Sequence, residues 1–113
     1  MSLYHLIVYV PVEAAPGVRD AMAQAGAGKI GNYDSCSFSS RGTGRFRPLK
    51  GAVPAIGTVG LLEEVEEERI EAVVREEDLM RVLEAILNVH PYEEPAIHVW
   101  RMEDYHGLLK GEG

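Results

Sequence analysis

The feature that most constrains the fold is an apolar, β-rich run near the start of the chain, Leu6-Ile7-Val8-Tyr9-Val10, which Pro11 follows. A half-exposed strand alternates apolar and polar side chains, whereas this run is apolar at successive positions. The pattern predicts a central strand that is covered on both faces. Even when extended to Val12, the run is far shorter than the roughly 20 apolar residues of a membrane-spanning helix, so no membrane association is expected.

Two segments have the spacing of amphipathic helices. The first opens near Pro16 and closes at Gly26, and its apolar face comprises Val18, Ala21, Met22 and Ala25. The second follows an acidic run that suits the positive end of a helix, and Pro91 stops it by disfavouring the helical conformation of His90. Its apolar stripe comprises Leu79, Val82, Leu83 and Ile86.

Three further strands complete the pattern. Residues 32–40 alternate loosely, residues 59–75 alternate most clearly near Ile70, and residues 96–102 form the last strand. Residues 41–57 are rich in Gly and Pro and lack periodicity, which predicts a long ordered loop or arm. The order β-α-β-β-α-β predicts an α+β, ferredoxin-like sandwich, and a length of 113 residues fits one domain, residues 1–113.

In this fold the two helices cover one face of the sheet and leave the other face open. Because the first strand is apolar on both faces, we expect the open face to meet another subunit. The chain is therefore expected to form a homo-oligomer.

Charge is distributed unevenly along the chain. The net charge of −7 argues against general nucleic-acid binding, which requires a basic face. Residues 41–50 nevertheless hold four of the 11 basic residues and no acid, whereas nine of the 18 acids fall between residues 63 and 78. The basic segment predicts a surface for a small anionic ligand, with these candidate contacts: Arg41, Thr43, Arg45, Phe46 and Arg47. The alternative is a β-arm whose charges keep it soluble or pair with acids of a neighbouring subunit.

Residues 26–31 match the G-x-G-x-x-G pattern of dinucleotide-binding loops. Such a loop follows a strand and precedes a helix, whereas this one leaves a helix and enters a strand, which favours a helix C-cap and a turn. A backbone-lined anion site of another kind stays open, with Gly28, Lys29 and Gly31 as its candidate residues.

The segment His90-Pro-Tyr-Glu-Glu-Pro95 places an imidazole, a phenol and two carboxylates at one turn. A divalent metal ion is the candidate cofactor here, with His90 as the central ligand and Glu93 and Cys36 as partners, and another chain as a further source of ligands. The alternatives are a packed histidine at a helix end and a buried free cysteine. The single cysteine also fits a reducing, cytoplasmic location. No nucleophile–base pair or paired-carboxylate motif can be assigned, which favours a protein that is not an enzyme.

Five motifs occur in an order that resembles the inserted domain of the Nif-three-like (YqfO-type) dinuclear-metal proteins: Gly26-Ala-Gly-Lys-Ile-Gly-Asn-Tyr-Asp-Ser-Cys-Ser-Phe38, Gly42-Thr-Gly-Arg-Phe-Arg-Pro48, Gly51-Ala-Val-Pro-Ala-Ile-Gly57, Val65-Glu-Glu-Glu-Arg-Ile-Glu71 and His90-Pro-Tyr-Glu-Glu-Pro95. The resemblance implies a PII- and CutA-like fold, and the CutA likeness implies a homotrimer. In that family the ligands of the two metal ions lie in flanking lobes, so no dinuclear centre or cyclohydrolase activity is implied for these residues. Glu68 stands where the family is usually apolar, which predicts a more exposed strand face.

The sequence therefore predicts a stand-alone, non-catalytic oligomeric module that binds a small anionic ligand, a metal ion or a partner protein. PII-like relatives use a long loop and subunit clefts for nucleotide-like effectors, and residues 41–50 are the analogous segment. The alternative function is a metal-dependent hydrolase, or an accessory subunit, whose site forms between subunits.

Overall fold

A computed structural model describes residues 2–111 as a four-stranded antiparallel sheet with two main helices. The elements are β1 Leu3–Pro11, α1 Ala15–Ala25, β2 Phe38–Phe46, β3 Glu63–Arg75, α2 Leu79–Val89, β4 Ile97–Met102 and a short α3 Tyr105–Leu109. The strand order is β2-β3-β1-β4, so β1 is central, as its sequence predicts. The predicted ferredoxin-like order is confirmed. The sequence did not predict α3, which follows the last strand.

The hydrophobic core lies between the sheet and helices α1 and α2, on what we call the helix face. Alternate residues of β1, namely Leu6, Val8 and Val10, are completely buried there. The other core residues come mainly from the two helices and from β3: Ala15, Val18, Met22, Ala25, Ala27, Ile70, Ala72, Val74, Val82 and Ile86. Both predicted helical stripes therefore pack inward as amphipathic helices do.

The opposite side of the sheet, the open face, is not covered by α1 or α2. Ile7 lies on this side and is only 2% exposed, although it does not belong to the helix-face core. Aromatic rings pack around it: the rings of His5 and Trp100 are 5.0 Å apart, and those of Tyr9 and His98 are 5.6 Å apart. Trp100 remains 48% exposed. The open face is thus a layer of half-exposed rings around one buried aliphatic side chain.

Strands β2 and β3 extend together beyond the rest of the sheet as a two-stranded arm. Their pairing runs from Phe38 opposite Glu71 to Phe46 opposite Glu63, and the molecule measures 53 × 23 × 23 Å. The predicted loop or arm over residues 41–57 therefore begins as a β-arm, since residues 41–46 are strand. Gly42 and Gly44 hide the strand pattern because glycine has low β propensity, and pairing with β3 overrides it.

The chain leaves α1 through a left-handed turn. Gly26 has φ of 117°, and its N–H and that of Ala27 bond back to carbonyls of the last helical turn, which confirms the predicted helix C-cap. Within residues 2–111 no helix is long and apolar enough to cross a membrane.

Candidate functional site

The turn around Gly28 is held by backbone hydrogen bonds. The Gly28 N–H donates to the Val73 carbonyl at 2.8 Å, and the Gly28 carbonyl accepts from the Cys36 N–H at 3.0 Å. Gly28 has φ of 81°, and a Cβ here would overlap the Cys36 backbone. Glycine is thus required by the close approach of two chain segments. Because its N–H is already bonded, Gly28 does not offer an amide to an anion in this arrangement.

The other two candidate residues of this turn differ from each other. The Lys29 ammonium lies 3.7 Å from Oδ2 of Asp78, a carboxylate that is almost completely buried. Asp78 also pairs with Arg81, whose guanidinium donates to the last residue of α1, Ala25. Lys29 therefore belongs to a joint between the two helices, whereas Gly31 is exposed.

Two polar side chains of the arm, those of Arg45 and Thr43, face acids of β3 in the same chain. The Arg45 Nε lies 2.8 Å from Glu64 Oε2, and the Thr43 hydroxyl donates to Glu66 Oε1 at 3.0 Å. Both pairs are exposed, so each stabilises the arm by at most about 1 kcal/mol. The arm was interpreted either as a ligand-binding surface or as a segment whose charges pair with acids. Arg45 forms such a pair, and its partner Glu64 belongs to the same chain.

Arg41 lies opposite Glu68 in the strand pairing, but Glu68 pairs with Arg19 of α1. Glu68 is 7% exposed, so its side chain is buried in this chain although it is charged. Its charge is tolerated because the Arg19 guanidinium reaches it from the helix.

A cleft of about 550 Å³ opens at the end of the arm, on the side of the open face. Its walls are the end of β2, the loop that follows it, and the turn between α2 and β4. The lining residues are Tyr9, Gly44, Arg45, Phe46, Arg47, Pro48, Leu49, Ala52, Pro54, Ala55, Ile56, Glu67, Tyr92, Glu93, Glu94 and Ala96. The cleft combines a mainly apolar wall with a few charged groups, which is typical of small-molecule sites.

Glu67 and Tyr92 form the polar pair of this cleft. The Tyr92 hydroxyl donates to Glu67 Oε2 at 3.1 Å, and Glu67 is 9% exposed. Burial, together with the negative charge of Glu67, raises the pKa of Tyr92 far above its ordinary value. The phenol therefore remains a hydrogen-bond donor well into the alkaline range. Glu67 fits here because its carboxylate lies over Gly44, where any Cβ would overlap it.

His90 supports this pair from the end of α2. Its Nδ1 accepts from the Tyr92 N–H at 3.1 Å, and its Nε2 lies 2.7 Å from the Tyr9 carbonyl. This geometry fits the tautomer with the proton on Nε2, which donates to that carbonyl. The rings of Tyr92 and His90 are 5.1 Å apart, and the ring of Phe46 meets that of Tyr92 edge-on at 5.6 Å. His90 is thus a packed, fully bonded histidine at a helix end.

The three predicted metal ligands do not come together in the described residues. Both ring nitrogens of His90 are engaged, and Glu93 Oε1 accepts from the Val53 N–H at 3.0 Å. Cys36 lies in a groove against α1, beside Arg19 and Met22. Within residues 2–111 no group of three or more His, Cys, Asp or Glu side chains is placed to hold a metal ion. A metal site stays a prediction that requires ligands from a second chain.

The predicted anion-binding residues also fall into separate places. The turn around Gly28 bonds to Val73, near one end of β3, whereas Phe46 pairs with Glu63 at the other end. Ten residues of strand separate these points, or about 33 Å. The turn and the end of the arm therefore cannot contact one small ligand within a single chain. Phe46 and Arg47 are the predicted residues that line the cleft together with Arg45.

Sequence reasoning missed Glu67 and Gly44 as site residues. Glu67 stands in the acidic run Glu66-Glu67-Glu68, and Gly44 lies in the segment rich in Gly and Pro, so neither residue is distinguished from its neighbours in the sequence. A glycine within a strand often marks a close approach of another group. That signal becomes readable only when β2 and β3 are placed in register.

Similar proteins were found by sequence and by structure, although no family model matches the chain. The GTP cyclohydrolase 1 type 2 homolog of Halalkalibacterium halodurans is 50% identical over 99 residues, which is 88% of this chain and 27% of that protein. The chain thus spans about a quarter of the length of the curated relatives it matches.

Two solved structures place the fold. A Bacillus cereus protein related to NIF3 matches with a TM-score of 0.80 and 43% identity, over 91% of this chain and 26% of that one. CutA1 from Pyrococcus horikoshii matches with a TM-score of 0.65 and 20% identity, over 96% of each chain. The second likeness concerns the fold alone.

Proposed function

Because this chain belongs to the Nif-three-like (YqfO-type) family, where it corresponds to the inserted CutA-like domain, we propose that it is a self-associating, non-catalytic binding module. The relatives are named after GTP cyclohydrolase 1, but this chain matches only 27% of the length of the Halalkalibacterium halodurans protein. Cyclohydrolase activity is therefore not part of the proposal. The module is a single domain of the cytoplasm in this proposal, in keeping with its single cysteine.

The observation that carries the proposal is the position of the cleft on the open face of the sheet. The half-exposed ring of Trp100 on that face gains by burial against another copy of the chain. Tyr9 belongs both to this layer of rings and to the wall of the cleft. Association through the open face would therefore bring a second subunit to the rim of the ligand site.

The ligand of the module is a small molecule that carries an anionic group. Arg47 lines the cleft and takes part in no ion pair within residues 2–111, whereas Arg45 is paired with Glu64. A guanidinium presents several donors in a fork that matches carboxylate and phosphate oxygens. Arg47 is therefore the residue that we assign to the anion.

Anion-dependent thermal stabilisation tests this assignment. Inorganic pyrophosphate should raise the melting temperature of the natural chain above that in potassium chloride of equal ionic strength, because a ligand that binds only the folded state stabilises it. The stabilisation amounts to about 2.7 kcal/mol when the ligand is present at 100 times its Kd.

Two arginine variants separate binding from general charge effects. Arg47→Ala should lose the pyrophosphate effect without a change of oligomer mass, while Arg45→Ala, the matched control, should keep it. An equal loss in both variants would show that only the net charge of the arm matters, and a retained effect in Arg47→Ala would contradict the assignment. Dissociation of either variant would instead support a role of these charges between subunits.

A further inference from the structure

The floor of the cleft holds a carboxylate with unused hydrogen-bonding capacity. Glu67 is nine-tenths buried, and within the described part of the chain it has one hydrogen-bond partner, the Tyr92 hydroxyl at Oε2. Its Oε1 lies over Gly44 and accepts no hydrogen bond from residues 2–111. A carboxylate removed from water is costly unless it is paired and hydrogen-bonded. Glu67 therefore has room for a donor that enters from the cleft.

No basic side chain of residues 2–111 forms an ion pair with Glu67. Of the two arginines that line the cleft, Arg45 pairs with Glu64, and Arg47 forms no ion pair among residues 2–111. The other buried acids differ: Glu68 has Arg19, and Asp78 has Lys29 and Arg81. Glu67 is the buried acid whose positive partner is not supplied within the described chain.

Aromatic rings surround the space in front of this carboxylate. Tyr9 of β1, Phe46 of β2 and Tyr92 of the turn between α2 and β4 line the cleft, and the rings of Phe46 and Tyr92 are 5.6 Å apart. The faces of aromatic rings attract cations, most strongly where water is excluded. A buried carboxylate beside aromatic walls is a chemical environment suited to an ammonium or guanidinium group.

We propose that the cleft binds the cationic group of a small zwitterionic molecule against Glu67. The inference rests on the proposed function for the other end of the ligand, whose anionic group pairs with Arg47. Tyr92 acts as a positioning residue, because its hydroxyl holds Oε2 and leaves Oε1 free for the ligand. Its raised pKa keeps that hydroxyl protonated well into the alkaline range, so the hydrogen bond to Oε2 does not depend on pH near neutrality.

Three probes of nearly equal size distinguish the two ends of the ligand. Nα-acetylarginine carries a guanidinium and a carboxylate, N-acetylagmatine carries the guanidinium alone, and Nα-acetylcitrulline carries the carboxylate alone. Binding is measured on the full chain by the shifts of backbone amide resonances, read at Gly44 and Tyr92. Nα-acetylarginine should bind with a Kd at least about tenfold lower than that of either other probe, because only it contacts both charged groups of the cleft. A tenfold change in Kd corresponds to about 1.4 kcal/mol of binding free energy.

A pair of neighbouring variants tests the role of Glu67. Glu67→Gln keeps the shape of the side chain and an acceptor for the Tyr92 hydroxyl but removes the charge. It should lower the affinity for Nα-acetylarginine about tenfold. Glu66→Gln, which lies on the opposite face of β3 and is exposed, should leave the affinity within about twofold. Equal melting temperatures of the two variants establish that both remain folded.

Each alternative result has a separate meaning. If Nα-acetylcitrulline binds as well as Nα-acetylarginine, or if Glu67→Gln binds unchanged, the cation site is wrong while the anion site at Arg47 stands. If N-acetylagmatine equals Nα-acetylarginine, the cation site is supported and the proposed anionic ligand is wrong. If no probe shifts the cleft resonances, both are overturned. If Glu67→Gln dissociates the oligomer, a second copy occupies the cleft, which also overturns the inference.

Discussion

At the scale of single residues, the cleft depends on the contact of Glu67 with Gly44. The carboxylate lies over the glycine because no Cβ occupies that position, and there it reaches the Tyr92 hydroxyl. Gly42 lies two residues away on the same side of β2, and a Cβ added to it would meet no atom within 4 Å. The two glycines therefore form a natural pair for comparison.

We predict that Gly44→Ala destabilises the chain by about 1 kcal/mol, because the displaced Glu67 loses its hydrogen bond with Tyr92. Gly42→Ala should be neutral or slightly stabilising, since alanine is less costly than glycine in a strand. Urea unfolding of both variants measures the difference. Equal effects of the two substitutions would show that the Glu67 side chain is not held over Gly44.

Tyr92 should give the stability a specific dependence on alkaline pH. Its pKa is raised in the folded state, so its contribution is fully present below the ordinary tyrosine pKa of about 10. Above that pH the unfolded chain loses the phenol proton and the folded chain keeps it, so the unfolding free energy falls as pH rises. The stability of wild type relative to Tyr92→Phe should decrease by up to about 1.4 kcal/mol per pH unit there. Parallel unfolding curves for the two proteins above pH 10 would contradict the raised pKa.

At the scale of elements, the sequence predicts those helices and strands that have a local periodic pattern, and it does not predict structure that arises from long-range pairing. The two helices and β1 follow from periodicity and from the proline and glycine residues at their ends, and all three are observed. The strand character of residues 41–46 leaves no periodic signal in the sequence because it comes from pairing with β3. The cleft was missed for the same reason, since the contact of Glu67 with Tyr92 spans 25 residues of sequence. Phe46 and Arg47 were found because aromatic and cationic side chains stand out in an acidic chain.

The connection from α1 to β2 should tolerate substitution at one glycine and not at another. Gly28 and Gly31 both have positive φ, but only Gly28 meets backbone atoms where a Cβ would be placed. Gly31→Ala should cost about 1 kcal/mol for the left-handed conformation alone. Gly28→Ala should cost several kcal/mol, because the Cys36 backbone must also move and the bond to Val73 is disturbed. Chemical unfolding compares the two, and equal costs would mean that residues 28–36 form a loosely packed loop.

At the scale of the whole molecule, the open face is the side of the sheet that is only partly covered. The helices bury one side of β1. On the other side, Ile7 is buried beneath aromatic rings that are themselves partly exposed to solvent. The sequence predicted a strand covered on both faces, and the layer of rings supplies only part of that cover. A second copy of the chain would complete the cover and would stand beside the cleft.

The mass of the assembly in solution shows whether further copies of the chain cover the open face. Light scattering after size exclusion, at micromolar concentration, should give a homotrimer, three times the chain mass of 12.4 kDa. Trp100→Lys should dissociate it by placing a charge in the interface, whereas Met80→Lys, which adds the same charge at an exposed apolar position of α2, should leave it intact. A wild-type chain that elutes as a monomer, or an assembly that Trp100→Lys leaves unchanged, would contradict association through the open face.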